Sequence, residues 1–187
     1  MNCGRRWLKL PFAIATCAHF WIPESSAAQV TLSLSGGAVV PVGSTSRPYK
    51  PGYDVTIGLA ATPPLSSVGI RLEGMFNELG AKDTTVARDT SAAGVRIIGA
   101  SLSFSVSPAG AAPPISLLYL IGGVGVYRSK PTKGPSTSWN DDFGFNLGAG
   151  LSFGDSPIEP FLEVRVHRMS TEGGPTKFMP ITFGIRF

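Results

Sequence analysis

Residues 95–107 read Val95-Arg96-Ile97-Ile98-Gly99-Ala100-Ser101-Leu102-Ser103-Phe104-Ser105-Val106-Ser107. From Ile98 onward every second residue is apolar, and Gly99, Ser101, Ser103 and Ser105 fill the alternate places. A period of two belongs to a β-strand, whose successive side chains point to opposite faces. The polar face decides the fold. A strand at the surface of a soluble sheet hides its apolar side and turns charge to water. This one offers only glycine and serine, which suits a crowded barrel interior with an apolar exterior.

Working outward, seven more segments alternate in the same way, each bounded by turn residues. The first, Val30–Val42, sets Val30, Leu32, Leu34, Ala38 and Val40 against Thr31, Ser33, Ser35 and Gly37. The second, Tyr53–Ala61, opposes Tyr53, Val55, Ile57 and Leu59 to Asp54, Thr56 and Gly58. In the third, Ser67–Glu78, the apolar face is Val68, Ile70, Leu72 and Phe76; Arg71, Glu73 and Asn77 lie opposite. The fourth is the one quoted. The fifth, Ile115–Arg128, is apolar on both faces, and Leu118, Leu120, Val124 and Val126 are assigned outward against Tyr119, Ile121, Gly123, Gly125 and Tyr127. The sixth (Asp142–Phe153), seventh (Phe161–Met169) and eighth (Lys177–Phe187) repeat the rule. Each is long enough for a membrane strand of about 9–11 residues. The expected fold is therefore all-β: an eight-stranded antiparallel up-and-down transmembrane β-barrel.

The connections support that topology. The first, third and fifth (Gly43–Gly52, Leu79–Gly94, Ser129–Asp141) are long and polar, whereas the second and sixth (Thr62–Ser66, Gly154–Pro160) are short. Long outer loops and short inner turns are the habit of outer-membrane barrels. An even strand number returns both termini to one side. Tyr49, Tyr53, Tyr127, Trp139 and Phe143 gather near one end of their strands, and Phe104, Phe153, Phe161 and Phe187 near the other. They are candidates for two aromatic girdles, although Tyr127 and Phe161 face inward in this register.

Residues 1–28 read as a secretory leader, followed by a barrel domain over 29–187. Arg5, Arg6 and Lys9 form the basic region, Leu10–Ile22 the apolar one, and Ser26-Ala27-Ala28 a small-residue cleavage site before Gln29. The apolar run is too short for a spanning helix of about 20 residues. An uncleaved anchor and lipid attachment at Cys17 are the alternatives. Cleavage removes Cys3 and Cys17, the only cysteines, and with them any disulfide or thiol chemistry.

Composition closes off other classes. Glycine (23) and proline (16) are too frequent for a helical protein. Only 15% of residues are charged, so the chain is too apolar for disorder. A net charge of +4 gives no reason to expect a nucleic-acid partner.

With the leader, the Gly-rich first strand Leu34-Ser35-Gly36-Gly37-Ala38-Val39-Val40-Pro41 and the last strand Met179-Pro180-Ile181-Thr182-Phe183-Gly184-Ile185-Arg186-Phe187 in view, the chain resembles the small eight-stranded outer-membrane barrels of the OmpA/OmpX/OmpW-like group. The resemblance implies a monomer in the outer membrane of a Gram-negative envelope. Its partners would be the lipid bilayer, lipopolysaccharide and the outer-membrane assembly machinery. Phe183, Ile185 and Phe187 would be the signal read by that machinery.

Chemistry is sparse in the barrel region. Gly122-Gly123-Val124-Gly125 lacks the Lys-Ser/Thr and the helix of a phosphate loop. It reads as glycines that relieve crowding in a narrow lumen. Lipid A deacylases share the eight-stranded barrel and place Ser two residues from His. Here Met169 holds that place, and Ser170, three residues from His167, falls on the opposite face. No catalytic, cofactor or metal residue is assigned. Arg71 and Glu73 of the third strand should face Glu163 and Arg165 of the seventh across the lumen, with His167 just above. Pairing along each strand is the competing arrangement. The expected role is a non-enzymatic barrel serving envelope integrity or surface interaction, with its lumen plugged by these charges. A narrow passive pore is the alternative, and a deacylase-like enzyme ranks below both.

Overall fold

The computed structural model describes residues 28–64, 66–82, 94–107, 118–132, 138–153, 157–171 and 174–187. Eight strands make up almost all of it: β1 (Gln29–Pro41), β2 (Tyr49–Thr62), β3 (Val68–Ala81), β4 (Val95–Val106), β5 (Leu118–Pro131), β6 (Asn140–Ser152), β7 (Glu159–Thr171) and β8 (Gly174–Arg186). Each pairs antiparallel with its neighbour in sequence, and β1 closes the ring against β8. Closure leaves no strand with an unpaired edge, which a lipid-exposed sheet requires. Phe187 completes the seam: its N–H donates to the Leu32 carbonyl (2.9 Å) and its carbonyl accepts from the Leu32 N–H (2.8 Å).

The faces follow the period of two in every strand. Ile57, Leu72, Leu102, Val126, Leu147, Val166 and Phe183, one from each strand from β2 to β8, are exposed on the outside. β5, whose two faces are equally apolar by sequence, also obeys: Leu118, Leu120 and Val126 are exposed, while Tyr119, Ile121 and Tyr127 are buried.

Strand bounds are less well read. β2 begins at Tyr49 rather than Tyr53, after a single 3₁₀ turn at Gly43–Ser46 that Gly43 enters with φ 64°. β5 runs to Pro131 and β6 starts at Asn140, so Lys50, Lys130 and Asp141 belong to strands and not to loops. The seventh connection, expected over Ser170–Thr176, shrinks to residues 172–173. The physical reason is the same each time. At the end opposite the termini, called here the far end, backbone pairing continues past the apolar band into polar side chains. The ladder needs N–H and C=O groups, not apolar ones. Two prolines at these extended ends lie where they cost few bonds: Pro51 within the irregularity between Lys50 and Tyr53, and Pro131 at a strand end. Residues 1–27, within the expected leader 1–28, lie outside the described residues, and Gln29 opens β1.

The interior is layered. At the termini end Tyr119, Ile121 and Phe161 fill the lumen, and the Arg186 guanidinium lies 4.7 and 4.4 Å from the Tyr119 and Phe161 ring centres. At the far end Val39, Leu79, Ile97, Tyr127, Met169 and Phe178 form a buried apolar cluster, with Tyr49 packed against it. Tyr49, Tyr127 and Phe161 are therefore interior residues. Tyr53, Trp139 and Phe143 remain exposed at the far end, as do Phe104, Phe153 and Phe187 at the other.

Candidate functional site

Between the two apolar layers lies a layer of charge. Arg71 and Glu73 stand two apart on β3, and Glu163 and Arg165 two apart on β7, so each pair shares the inward face. In a ring of eight, β3 and β7 are diametrically opposed. Arg71 Nη1 reaches Glu163 Oε2 at 2.7 Å, and Arg165 Nη1 reaches Glu73 Oε2 at 2.5 Å. Both ion pairs cross the lumen. The same groups also pair along their strands: Arg71 Nη2 with Glu73 Oε1 at 2.7 Å, and Arg165 Nη2 with Glu163 Oε1. Pairing across and pairing along were alternatives in the sequence. The geometry contains both, as a closed ring of two cations and two anions.

All four side chains are almost wholly withdrawn from solvent, Glu73 at 2% and Arg165 at 4% exposure. Isolated charges at that depth would be very costly, and mutual pairing offsets the loss of water. The planar guanidinium suits the task, since its fork of donors can hold two carboxylates at once. Tyr119 adds a fifth member, its hydroxyl donating to Glu163 Oε2 at 2.8 Å. Room for the ring comes from β6. A Cβ on Gly148 would run into the backbone and side chain of Arg165, and one on Gly150 into the Tyr119 ring.

His167 lies toward the far end of this layer and is also buried. Tyr127 Oη and His167 Nδ1 form a hydrogen bond of 2.9 Å, and the imidazole stacks on Phe178 with centres 4.9 Å apart. It is the junction between charge and apolar cluster. Ser170 is exposed on the other face of β7, so its hydroxyl points away from His167.

Asp54 joins the layer from β2. Its Oδ1 accepts from the Thr56 hydroxyl at 3.3 Å, while Oδ2 is buried with no hydrogen-bond partner. Asp54 also borders a small cavity, with Ser35, Glu163, Arg165 and His167 among its other lining residues. Neither Asp54 nor the apolar cluster was singled out from sequence. Their signal was present, because both occupy inward parity on strands whose register is clear. Among the described residues no group of three His, Cys, Asp or Glu gathers to hold a metal ion. Phe183 and Phe187 are exposed on the outer wall beside the half-buried Ile185.

No family model matches the sequence, and no curated protein matches it. Solved structures do match. Neisserial surface protein A superposes with a TM-score of 0.62 at 11% identity, over 85% of this chain and 97% of that one. The Yersinia pestis outer membrane protein Ail, in a phospholipid bilayer nanodisc, gives 0.52 at 14% identity, over 86% and 99%. Both are small eight-stranded outer-membrane barrels. This chain has their fold. At such identities the likeness is one of backbone architecture, so the lumen must be interpreted from this chain's own residues.

Proposed function

We propose that the chain is a non-enzymatic, monomeric outer-membrane barrel whose lumen is sealed and whose work is done outside it, in envelope integrity or in surface contacts made by the far-end loops. Export uses the leader 1–28, cleaved between Ala28 and Gln29. Assembly uses Phe183, Ile185 and Phe187 on the last strand. The bilayer, lipopolysaccharide and the assembly machinery are the partners; neither cofactor nor nucleic acid is part of this reading. The termini face the periplasm, and the far end faces outward.

One observation carries the reading. The lumen is crossed by the ring of Arg71, Glu73, Glu163 and Arg165, capped on the far side by the Val39–Phe178 apolar cluster, while the outside is apolar on every strand. An eight-stranded barrel has an interior only about wide enough for its own side chains. A group of paired charges roofed by apolar packing leaves ions no solvated route. The outer wall, in turn, is a surface for hydrocarbon and not for water.

The test has two parts. Membrane fractions should yield the protein in the outer membrane with heat-modifiable gel mobility, the mark of a closed barrel. In planar bilayers the purified barrel should then be electrically silent. Steady, large single-channel currents would overturn the sealed lumen and make the chain a pore.

A further inference from the structure

Pro180 stands in the middle of β8, where a strand with neighbours on both sides can least spare an N–H. β7 and β8 pair residue by residue from Glu159–Arg186 to Val164–Ile181, and again from His167–Phe178 to Thr171–Gly174. Between the two runs that register puts Pro180 opposite Arg165. The direction of the lost bond follows from alternation along the strand. Phe187 gives both its N–H and its C=O to Leu32 of β1, so Arg186, Gly184, Thr182 and Pro180 direct theirs at β7. The Arg165 carbonyl therefore faces a residue with no N–H to offer. Arg165 is buried, and a buried backbone carbonyl needs a donor.

Asp54 is the second residue short of a donor. It is 2% exposed; its Oδ1 takes the Thr56 hydroxyl, and its Oδ2 has no hydrogen-bond partner. Gly37 on β1 connects the two places, because it pairs with Asp54 on one side and Thr182 on the other and puts no side chain between them. Asp54, Thr182, Arg165 and Pro180 all line the same cavity, of about 20 Å³. One buried water needs roughly 10–15 Å³ and two to four polar partners.

We propose that this cavity binds a single water molecule, which donates one hydrogen to Asp54 Oδ2 and the other to the Arg165 carbonyl, and so stands in for the ladder bond that Pro180 cannot make. Thr182, two residues from Pro180 on the same face, brings a hydroxyl that can donate to it. The walls choose the occupant. A small cation would also suit two acceptors, but the Arg165 guanidinium lines the same cavity and repels it. The volume admits nothing larger. Through this water the barrel wall at β7–β8 is tied to the carboxylate of β2.

The test uses the full-length folded barrel. Crystals grown with rubidium chloride would show, at high resolution, what the cavity holds. The expected result is one water oxygen within hydrogen-bond distance of Asp54 Oδ2 and the Arg165 carbonyl oxygen, with no anomalous scattering there. A rubidium peak would make this a cation site, and a cavity without ordered density would hold no ligand; either overturns the proposal. Two substitutions test the role in solution. Asp54→Leu removes one acceptor and fills the space, so oxygen-17 relaxation dispersion should count one long-lived internal water fewer than in the wild type. Pro180→Ala restores the ladder N–H. In urea unfolding it should raise the midpoint more in the Asp54→Leu background, where the Arg165 carbonyl has lost its water, than alone, where the water already serves it. An unchanged water count, or the same gain in both backgrounds, would overturn the proposal. Should Asp54→Leu fail to fold, the wild-type crystal still decides.

Discussion

Glu73 and Arg165 meet across the full width of the lumen at 2.5 and 3.1 Å, each while holding a second partner on its own strand. The two opposite walls are thus joined through charge at mid-barrel. Because every group in the ring has two partners, removing one leaves both of its neighbours short.

That sharing predicts strong and non-additive losses. Glu73→Ala should cost about 3–5 kcal/mol, the range for breaking a buried pair by removing one member. Glu73→Ala with Arg165→Met should cost clearly less than the sum of the single changes, since the surviving Arg71–Glu163 pair is intact and neutral. Urea unfolding in lipid vesicles would measure the cycle. Strict additivity would mean that the ring is not a unit. The single variant should also admit brief, small conductance events where the wild type is silent.

Tyr127 links the charge layer to the apolar cluster through His167. Tyr127→Phe keeps the ring and its edge contacts with His167 and Phe178 but deletes the hydroxyl. A buried imidazole nitrogen left without its partner costs about 1–3 kcal/mol. The same unfolding assay should register that loss, whereas Tyr53→Phe, on the outer wall and joined to Glu78 by a long 3.5 Å contact, should change little. Equal effects would remove the special place given to Tyr127.

Two glycines on opposite faces make a paired test of lumen crowding. A Cβ on Gly150 would collide with the Tyr119 ring, whose hydroxyl holds Glu163. A Cβ on outward-facing Gly74 would meet only Ile57 Cγ2, at 3.8 Å. Gly150→Ala should therefore displace Tyr119 and destabilise by about 1–3 kcal/mol, the usual cost of overpacking. Gly74→Ala should be close to neutral or slightly stabilising. The order of the two urea midpoints decides the point.

These relationships differ in how far the sequence reveals them. Parity does most: once Leu102 and Phe104 are outward, Ser101 and Ser103 are inward, and the same reasoning places Arg71, Glu73, Glu163 and Arg165 in one lumen. Their opposition follows from strand count, because the third and seventh members of an eight-membered ring face each other. Pairing across against pairing along is not legible, since it depends on the lumen's width relative to an arginine's reach. The far-end cluster is not legible for another reason. Val39, Leu79, Ile97 and Phe178 continue the inward face beyond the stretch where a small-residue face had been recognised, and an apolar residue on that face reads as noise until the ring is closed. Strand ends are not legible either, because ladder pairing outruns the apolar pattern at Tyr49, Pro131 and Asn140.

The last strand carries a prediction that separates two roles of one residue. Phe187 is half exposed on the outer wall, and its main chain makes both seam bonds to Leu32. Deleting it removes the ring and the two bonds together. Phe187→Ala removes only the ring, because any residue supplies the backbone. If the ring is what the assembly machinery reads, both variants should reach the outer membrane at reduced levels. Each, refolded in vitro into lipid vesicles without that machinery, should respond differently: Phe187→Ala should fold close to normally, and the deletion should fold less well for want of the seam bonds. Folded outer-membrane protein at wild-type levels for Phe187→Ala would show that the terminal ring is not a targeting element and that the residue serves only to close the barrel.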